Sequence, residues 1–279
     1  MITRKEIPLF FESHRVLERG RDYIYFLPAP GLLKWISNYT LTFPGPGTIS
    51  ENYTVVPHGS ATLVFSCDEK GIHTSLFGPV TLPCMVGEEA NQADMLLIIE
   101  FQPAGLYALT GVHQKELTDQ ILPLETLDVI LDKRIQDILY SASGLTGLIH
   151  NLDSLLLSHM RTVYPAELNL SLQNIIQNMG NITVKDISGS VYYSERHLNR
   201  MFDKYLGMGV KTFSRLVRIN GALRLLNHPG CSITTVCDMS GYYDLPHFIH
   251  EFKSICGITP QEYRGRMSDF YNEIAKFSV

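Results

Sequence analysis

Apolar and polar positions change their period partway along the chain. Residues 52–56, 61–66, 72–77 and 95–101 are short runs rich in β-branched and aromatic side chains. Turn-forming residues separate them at 44–47, 58–59 and 68–71. Such runs predict strands, and several in succession predict a small barrel or jelly roll. After Pro103 the apolar positions of residues 124–139 and 145–163 recur at helical spacing. Pro165 stops the second segment, because a proline disfavours helical geometry in the residue before it. Residues 164–167 therefore read as a linker. The prediction is a multi-domain α+β chain, with a β-rich domain carrying helices over 1–164 and an all-α domain over 168–279.

The second domain contains an internal repeat. Tyr192 and Tyr193 align with Tyr242 and Tyr243, and the same offset of 50 pairs His197 with His247, Leu198 with Phe248, Phe202 with Phe252, Gly207 with Gly257 and Phe213 with Tyr263. Upstream, Thr183, Val184 and Ile187 match Ser232, Ile233 and Val236 at an offset of 49, which places one extra residue before the tyrosines. Each copy has the grammar of a helix-turn-helix. Thr183 and Ser232 are N-caps of the first helices, and Ser194 and Asp244 cap the second. The second helix of copy one, near 194–205, buries Leu198, Met201, Phe202 and Tyr205 at i, i+3, i+4 and i+7. That of copy two, near 244–255, buries Phe248, Phe252 and Ile255. Gly207 and Gly257 end them. Residues 211–226 form a long amphipathic helix that holds the two copies at a fixed separation. Gly221 inside it costs about 1 kcal/mol relative to alanine, which points to close packing there.

Charge sharpens this division. The whole chain carries a net charge of −5. Residues 168–279 hold 12 Lys and Arg against 9 Asp and Glu, whereas residues 1–167 hold 11 against 19. The more basic half is the one suited to a polyanion. At 45% hydrophobic and 18% charged residues, disordered and collagen-like classes are excluded. No apolar run approaches membrane-span length, and the N-terminus lacks a secretory apolar stretch, so a cytoplasmic location is expected. The five cysteines show no paired spacing and read as reduced thiols, mostly small core residues. A redox pair of Cys67 and Cys84 is the less favoured reading, because nothing nearby lowers their pKa.

The chemistry of the repeat fits double-stranded DNA. An α-helix with its side chains is about as wide as the B-DNA major groove, and arginine and asparagine grip guanine and adenine edges with two bonds each. Arg196, Asn199 and Arg200 place those groups on one helix face. Thr183 and Ser232, at helix N-termini, are candidate phosphate contacts, together with Ser194, Lys204 and Lys253.

Over residues 182–267 the chain resembles the AraC/XylS family of bacterial transcription regulators. The resemblance rests on Gly241, Tyr242, Asp244, Phe248, Phe252 and Lys253, followed by Gly257, Thr259, Pro260, Tyr263 and Arg264, and on residues 218–226 as the linking helix. It implies promoter binding through two helix-turn-helix units, with RNA polymerase as a partner and a homodimer as the assembly. By position, Arg196, Asn199 and Arg200 match base-reading residues of the first unit, and Leu245, Pro246, His247 and His250 those of the second. His250 stands where arginine is common and Pro246 where a polar residue is usual, so the second unit is expected to read fewer bases. Residues 53–65 and 100–124 resemble a cupin-like sensing or dimerising domain, which implies a small-molecule effector there. Cupin metal sites use clustered His and Glu, but His58, His73 and His113 are isolated and no HxH occurs. No catalytic residue, metal or cofactor is therefore expected. The alternatives are a cupin-type metal enzyme with an appended recruiting module and a ligand-free DNA-binding dimeriser.

Overall fold

A computed structural model of the protein describes residues 2–10, 12–45, 49–160 and 163–271. The expected turn at 44–47 runs past Gly45 outside the described residues, as do positions 161 and 162 of the expected 145–163 helix. The strands are β1 (Val16–Arg19), β2 (Tyr23–Phe26), β3 (Ile36–Thr42), β4 (Thr54–Val55), β5 (Thr62–Asp68), β6 (Gly71–Phe77), β7 (Cys84–Met85), β8 (Met95–Phe101), β9 (Ile121–Leu122) and β10 (Phe270–Tyr271). The helices are α1 (Gly87–Ala90), α2 (Gly105–Thr110), α3 (Gln114–Leu117), α4 (Glu125–Ser141), α5 (Leu145–His159), α6 (Ala166–Gln177), α7 (Val184–Ser190), α8 (Glu195–Leu206), α9 (Val210–Leu226), α10 (Ile233–Met239), α11 (Leu245–Cys256) and α12 (Pro260–Gly265). The chain forms two compact units. One comprises Met1–Ile49, Ser60–Pro79 and Glu88–Val163, and the other Ser50–Gly59, Val80–Gly87 and Tyr164–Val279.

The first unit is built on a seven-stranded antiparallel sheet in the order β1-β2-β3-β8-β5-β6-β9. Register puts Tyr39, Ile99 and Leu63 side by side across three strands, and Leu41, Leu97 and Phe65 in the next row. Alternation in a strand sends these residues to one face. There they join Leu131, Ile135 and Leu139 of α4 and Leu148, Ile149, Leu152 and Leu156 of α5 in one apolar core. Helix α4 breaks at Asp128, which has non-helical dihedrals, and Asp128 Oδ1 accepts from Leu131 N–H to restart it. Cys67 belongs to this core as expected, and burial first, then the charges of Asp68 and Asp94, raises its thiol to about 11.

Strands β1 to β3 were not legible in the hydrophobic pattern. In β3, residues on both faces are buried, so Ser37, Asn38 and Thr40 interrupt the apolar run while remaining inside. Ser37 Oγ donates to the Glu100 carbonyl on the neighbouring strand at 3.1 Å, and Asn38 Nδ2 donates to Thr40 Oγ1 at 3.3 Å.

One buried ion pair ties the start of this unit to its last helix. Arg15 Nη2 donates to Asp153 Oδ2 at 2.7 Å, and both side chains are over nine-tenths covered. The other carboxylate oxygen accepts from Tyr39 Oη at 3.0 Å and from the Ala29 N–H at 3.1 Å. Burial, then the Asp153 charge, pushes the Tyr39 phenol well above its ordinary pKa.

The second unit is mostly helical. Two segments from the first half of the sequence belong to it. Their strands β4 and β7 pair antiparallel, and β10 adds in parallel to β4. Asn220 Nδ2 on α9 donates to the Pro57 carbonyl at 2.8 Å. Gly59 lies so close to the same helix that a Cβ there would sit 3.1 Å from Leu216 and 3.2 Å from Phe213.

Deleting one member of a buried ion pair costs about 3–5 kcal/mol; removing Asp153 would leave Arg15 with Glu12 at 3.2 Å and the Tyr39 hydroxyl and Ala29 N–H without their acceptor. Asp153→Ala is expected to lower the unfolding free energy by that amount in a denaturant titration. A loss below 1 kcal/mol would show that Arg15 finds water or another partner.

Candidate nucleic-acid interface

The first repeat folds as α7, a tight turn and α8. Thr183 Oγ1 accepts from Asp186 N–H, and Ser194 Oγ accepts from His197 N–H, so both expected N-caps form. Leu198, Met201 and Phe202 are buried. Tyr205, expected in the core, is only half-buried, and Leu206 fills that end instead. The helix ends at Gly207 in a left-handed conformation. The second repeat matches this plan. Ser232 accepts from Thr235 N–H, Asp244 from His247 N–H, and α11 ends at left-handed Gly257. Thr259 and Glu262 then form a capping box for α12, whose backbone and hydroxyl bonds from Thr259 hold the Glu262 carboxyl below its ordinary pKa.

The turns correct one detail of the repeat. Tyr193 N–H donates to the Ser188 carbonyl and Tyr242 N–H to the Cys237 carbonyl, so these two tyrosines are equivalent. The residue before each has positive φ, +57° at Tyr192 and +75° at Gly241. The extra residue of copy two is therefore Tyr243, inside the tyrosine pair rather than before it. Tyr192 holds a conformation that costs an L-residue roughly 1–2 kcal/mol and that glycine adopts freely.

Helix α9 joins the two repeats through polar contacts at both. Asn199 Oδ1 on α8 accepts from Val210 N–H at the start of α9 (3.1 Å), and Asn199 Nδ2 donates to the Glu195 carbonyl (3.0 Å). At the other repeat, Glu251 of α11 is buried and receives Tyr242 Oη at 2.8 Å and Arg215 Nε at 3.2 Å, with Arg218 Nη1 at 3.8 Å. Burial, then the bond to Glu251, drives the Tyr242 phenol far above its ordinary pKa. Arg218 also lies over the Tyr242 ring and donates to the Gly180 carbonyl.

The candidate contact residues divide by exposure. Arg196 and Arg200 are exposed one helical turn apart on α8, with His197 beside them; Arg200 Nη2 lies 3.4 Å from His197 Nδ1. Asn199 is half-buried and bonded as described. On α11, Pro246, His247 and His250 are exposed, and Leu245 is half-buried. His247 Nε2 is 3.8 Å from Glu251 Oε2. Thr183, Ser194, Ser232 and Lys253 are exposed, and Lys204 is half-buried with its ammonium over the Tyr205 ring. Among the described residues, no group of three or more His, Cys, Asp or Glu could hold a metal ion, and no helix is long and apolar enough to cross a membrane.

Residues 187–266 match the protein family described as helix-turn-helix domain. The C-terminal part of the chain is an AraC-type helix-turn-helix domain. Residues 25–123 match a family described as a domain of unknown function (DUF6597). Over 109 residues the chain is 25% identical to "Regulatory protein PocR" of Salmonella typhimurium, covering 39% of this chain and 36% of that protein. It is 32% identical over 82 residues to "Uncharacterized HTH-type transcriptional regulator YisR" of Bacillus subtilis, covering 29% of each. The chain thus spans about a third of the length of these curated relatives. A solved AraC-type transcriptional regulator from Chromobacterium violaceum is 29% identical, covers 36% of this chain and 90% of its own, and superposes with a TM-score of 0.34.

Three features of the AraC-type domain escaped the sequence. Glu251 is assigned no role in the sequence, although a glutamate between Ile249, Phe252 and Ile255 is a signal for a cation partner. The backbone role of Asn199 depends on where α9 begins. The close packing expected at Gly221 is absent, since a Cβ built there meets nothing within 4 Å.

That open space makes Gly221 a simple stability lever. Gly221→Ala is expected to stabilise the protein by up to about 1 kcal/mol, read as a higher midpoint in thermal unfolding. A lower midpoint would restore the packing role.

Proposed function

We propose that the protein is a cytoplasmic, sequence-specific DNA-binding transcription regulator rather than an enzyme, responsive to a small-molecule ligand. The observation that carries this reading is the pairing of two capped helix-turn-helix units on one linking helix, each with an exposed polar face on its second helix. Such helices enter successive major grooves roughly 34 Å apart. In the first unit Arg196 and Arg200 reach base edges. Asn199 reads a base only by releasing the N-terminus of α9, so its contribution to specificity is the smaller. In the second unit His247 and His250 face the groove and read fewer bases. Thr183, Ser194, Lys204, Ser232 and Lys253 contact the sugar–phosphate backbone. Within residues 1–164, the first compact unit acts as the sensing and dimerising domain, with a homodimer as the DNA-bound state and RNA polymerase as the partner whose recruitment changes.

The test is a selection from random duplex by the purified full-length protein at physiological salt. Two conserved blocks about one helical turn apart are expected, and a retained pool no different from the input would refute the reading. On the selected duplex, Arg200→Ala is expected to cost ~1–3 kcal/mol and to relax preference at one base pair. His250→Ala is expected to cost less. Asn199→Ala should lower folding stability by about 1 kcal/mol while sparing base preference; lost preference with unchanged stability would make it a reader.

A further inference from the structure

Each turn of the two repeats holds one tyrosine that the fold uses and one that it leaves in water. Tyr193 packs on His197 with ring centroids 4.4 Å apart, and Tyr242 is buried against Phe248 and bonded to Glu251. Tyr192 is 95% exposed and Tyr243 97% exposed. Large aromatic side chains with so little cover contribute almost nothing to folding. At Tyr192 the residue is worse than neutral. Its φ of +57° is a left-handed conformation, and the equivalent position of the second repeat carries glycine at +75°. The chain therefore contains, in its own second copy, the residue that would relieve the strain. A strained backbone with no packing return points to a function outside the folded protein.

The position of the two side chains narrows that function. Tyr192 precedes the cap Ser194 by two residues, and Tyr243 immediately precedes the cap Asp244. Each stands at the entrance of the helix assigned to the major groove. The groove is walled there by sugar–phosphate backbone, which accepts hydrogen bonds from tyrosine hydroxyls. A phenol has an apolar ring to lie along a deoxyribose and a polar tip to donate to a phosphate oxygen.

We propose that Tyr192 and Tyr243 are paired DNA-backbone contacts, one at each recognition helix, with each phenol donating to a phosphate. The proposal rests on the DNA-binding reading above. It adds no base preference, and it brings no charge, so it releases no counterion.

The experiment measures full-length wild type, Tyr192→Gly, Tyr192→Phe and Tyr243→Phe on two duplexes, the selected site and an unrelated sequence. Binding is read by fluorescence anisotropy across a salt series, and folding by thermal melting. Tyr192→Gly is expected to melt at a higher temperature yet bind both duplexes roughly three- to tenfold more weakly. The two phenylalanine variants should weaken both by a smaller factor with unchanged melting. The slope of log affinity against log salt should stay at the wild-type value for all three. Wild-type affinity in Tyr192→Gly overturns the proposal. A loss confined to the selected site also overturns it, by making the tyrosine a base reader. Unchanged DNA affinity with reduced transcription in a reconstituted assay assigns the residues to a protein partner instead. If the wild type itself binds no duplex, the DNA-binding reading falls with it, whereas a binding wild type with indifferent variants removes only this inference.

Discussion

The second repeat is organised around a carboxylate that has no business in an apolar interior unless something neutralises it. Glu251 lies on the inner side of α11, between Phe248, Phe252 and Ile255. Taking such a group out of water costs several kcal/mol, which only well-placed cations and donors offset. Two arginines of α9 and the hydroxyl of Tyr242 supply them. Because the donors come from the linking helix and from the turn, the cluster specifies how α11 is rotated and where its exposed face looks. A purely apolar contact would tolerate a slide of one helix past the other far better than a set of bonds with fixed directions does. The first repeat solves the same problem with a neutral device, the Asn199 amide clasping the N-terminus of α9.

These two clasps explain why one helix suffices to set the spacing of two reading heads. Helix α9 spans Val210–Leu226 and buries Phe213, Leu216, Val217, Ile219, Ala222, Leu223 and Leu226. Rise per residue makes it about 25 Å long, about three quarters of the roughly 34 Å between successive major grooves. Its polar residues Arg215, Arg218 and Asn220 each bond to a different element. The linking helix is thus a ruler whose orientation is fixed all round.

Much of the second unit was legible because local chemistry dictates it. Thr183, Ser194, Ser232 and Asp244 act through bonds three residues away, and Gly207 and Gly257 act through their own dihedrals, so sequence spacing is enough. The same holds for β5 and β6, whose alternation survives because one face is the more strongly buried, and for β8, whose apolar run Met95–Ile99 reads as a strand covered on both faces. Legibility failed where a residue answers to something distant. Asn38 and Thr40 are polar yet inside, so the alternation of residues 38–42 hides a strand buried on both faces. Tyr205 sits at helical spacing but is displaced by Leu206 at the rim of the core. Glu251 and Asn199 look solvent-bound until their partners, 36 and 11 residues away, are in place. Residues 54 and 84 read as parts of the β-rich half, and only three dimensions assign them to the helical unit.

That last assignment bears on the order in which the chain can fold. Each helix pair of the repeats closes over a few dozen residues and forms early, as local contacts do. The bond from Asn220 to Pro57 spans 163 residues. A ribosome adding about 5–20 residues per second exposes Pro57 on the order of ten seconds before Asn220 emerges. Through that interval residues 50–59 have no α9 to lie on, and Gly59 can meet Phe213 and Leu216 only once they have emerged. The helical unit therefore cannot be complete until its first-made segment meets its later-made helix.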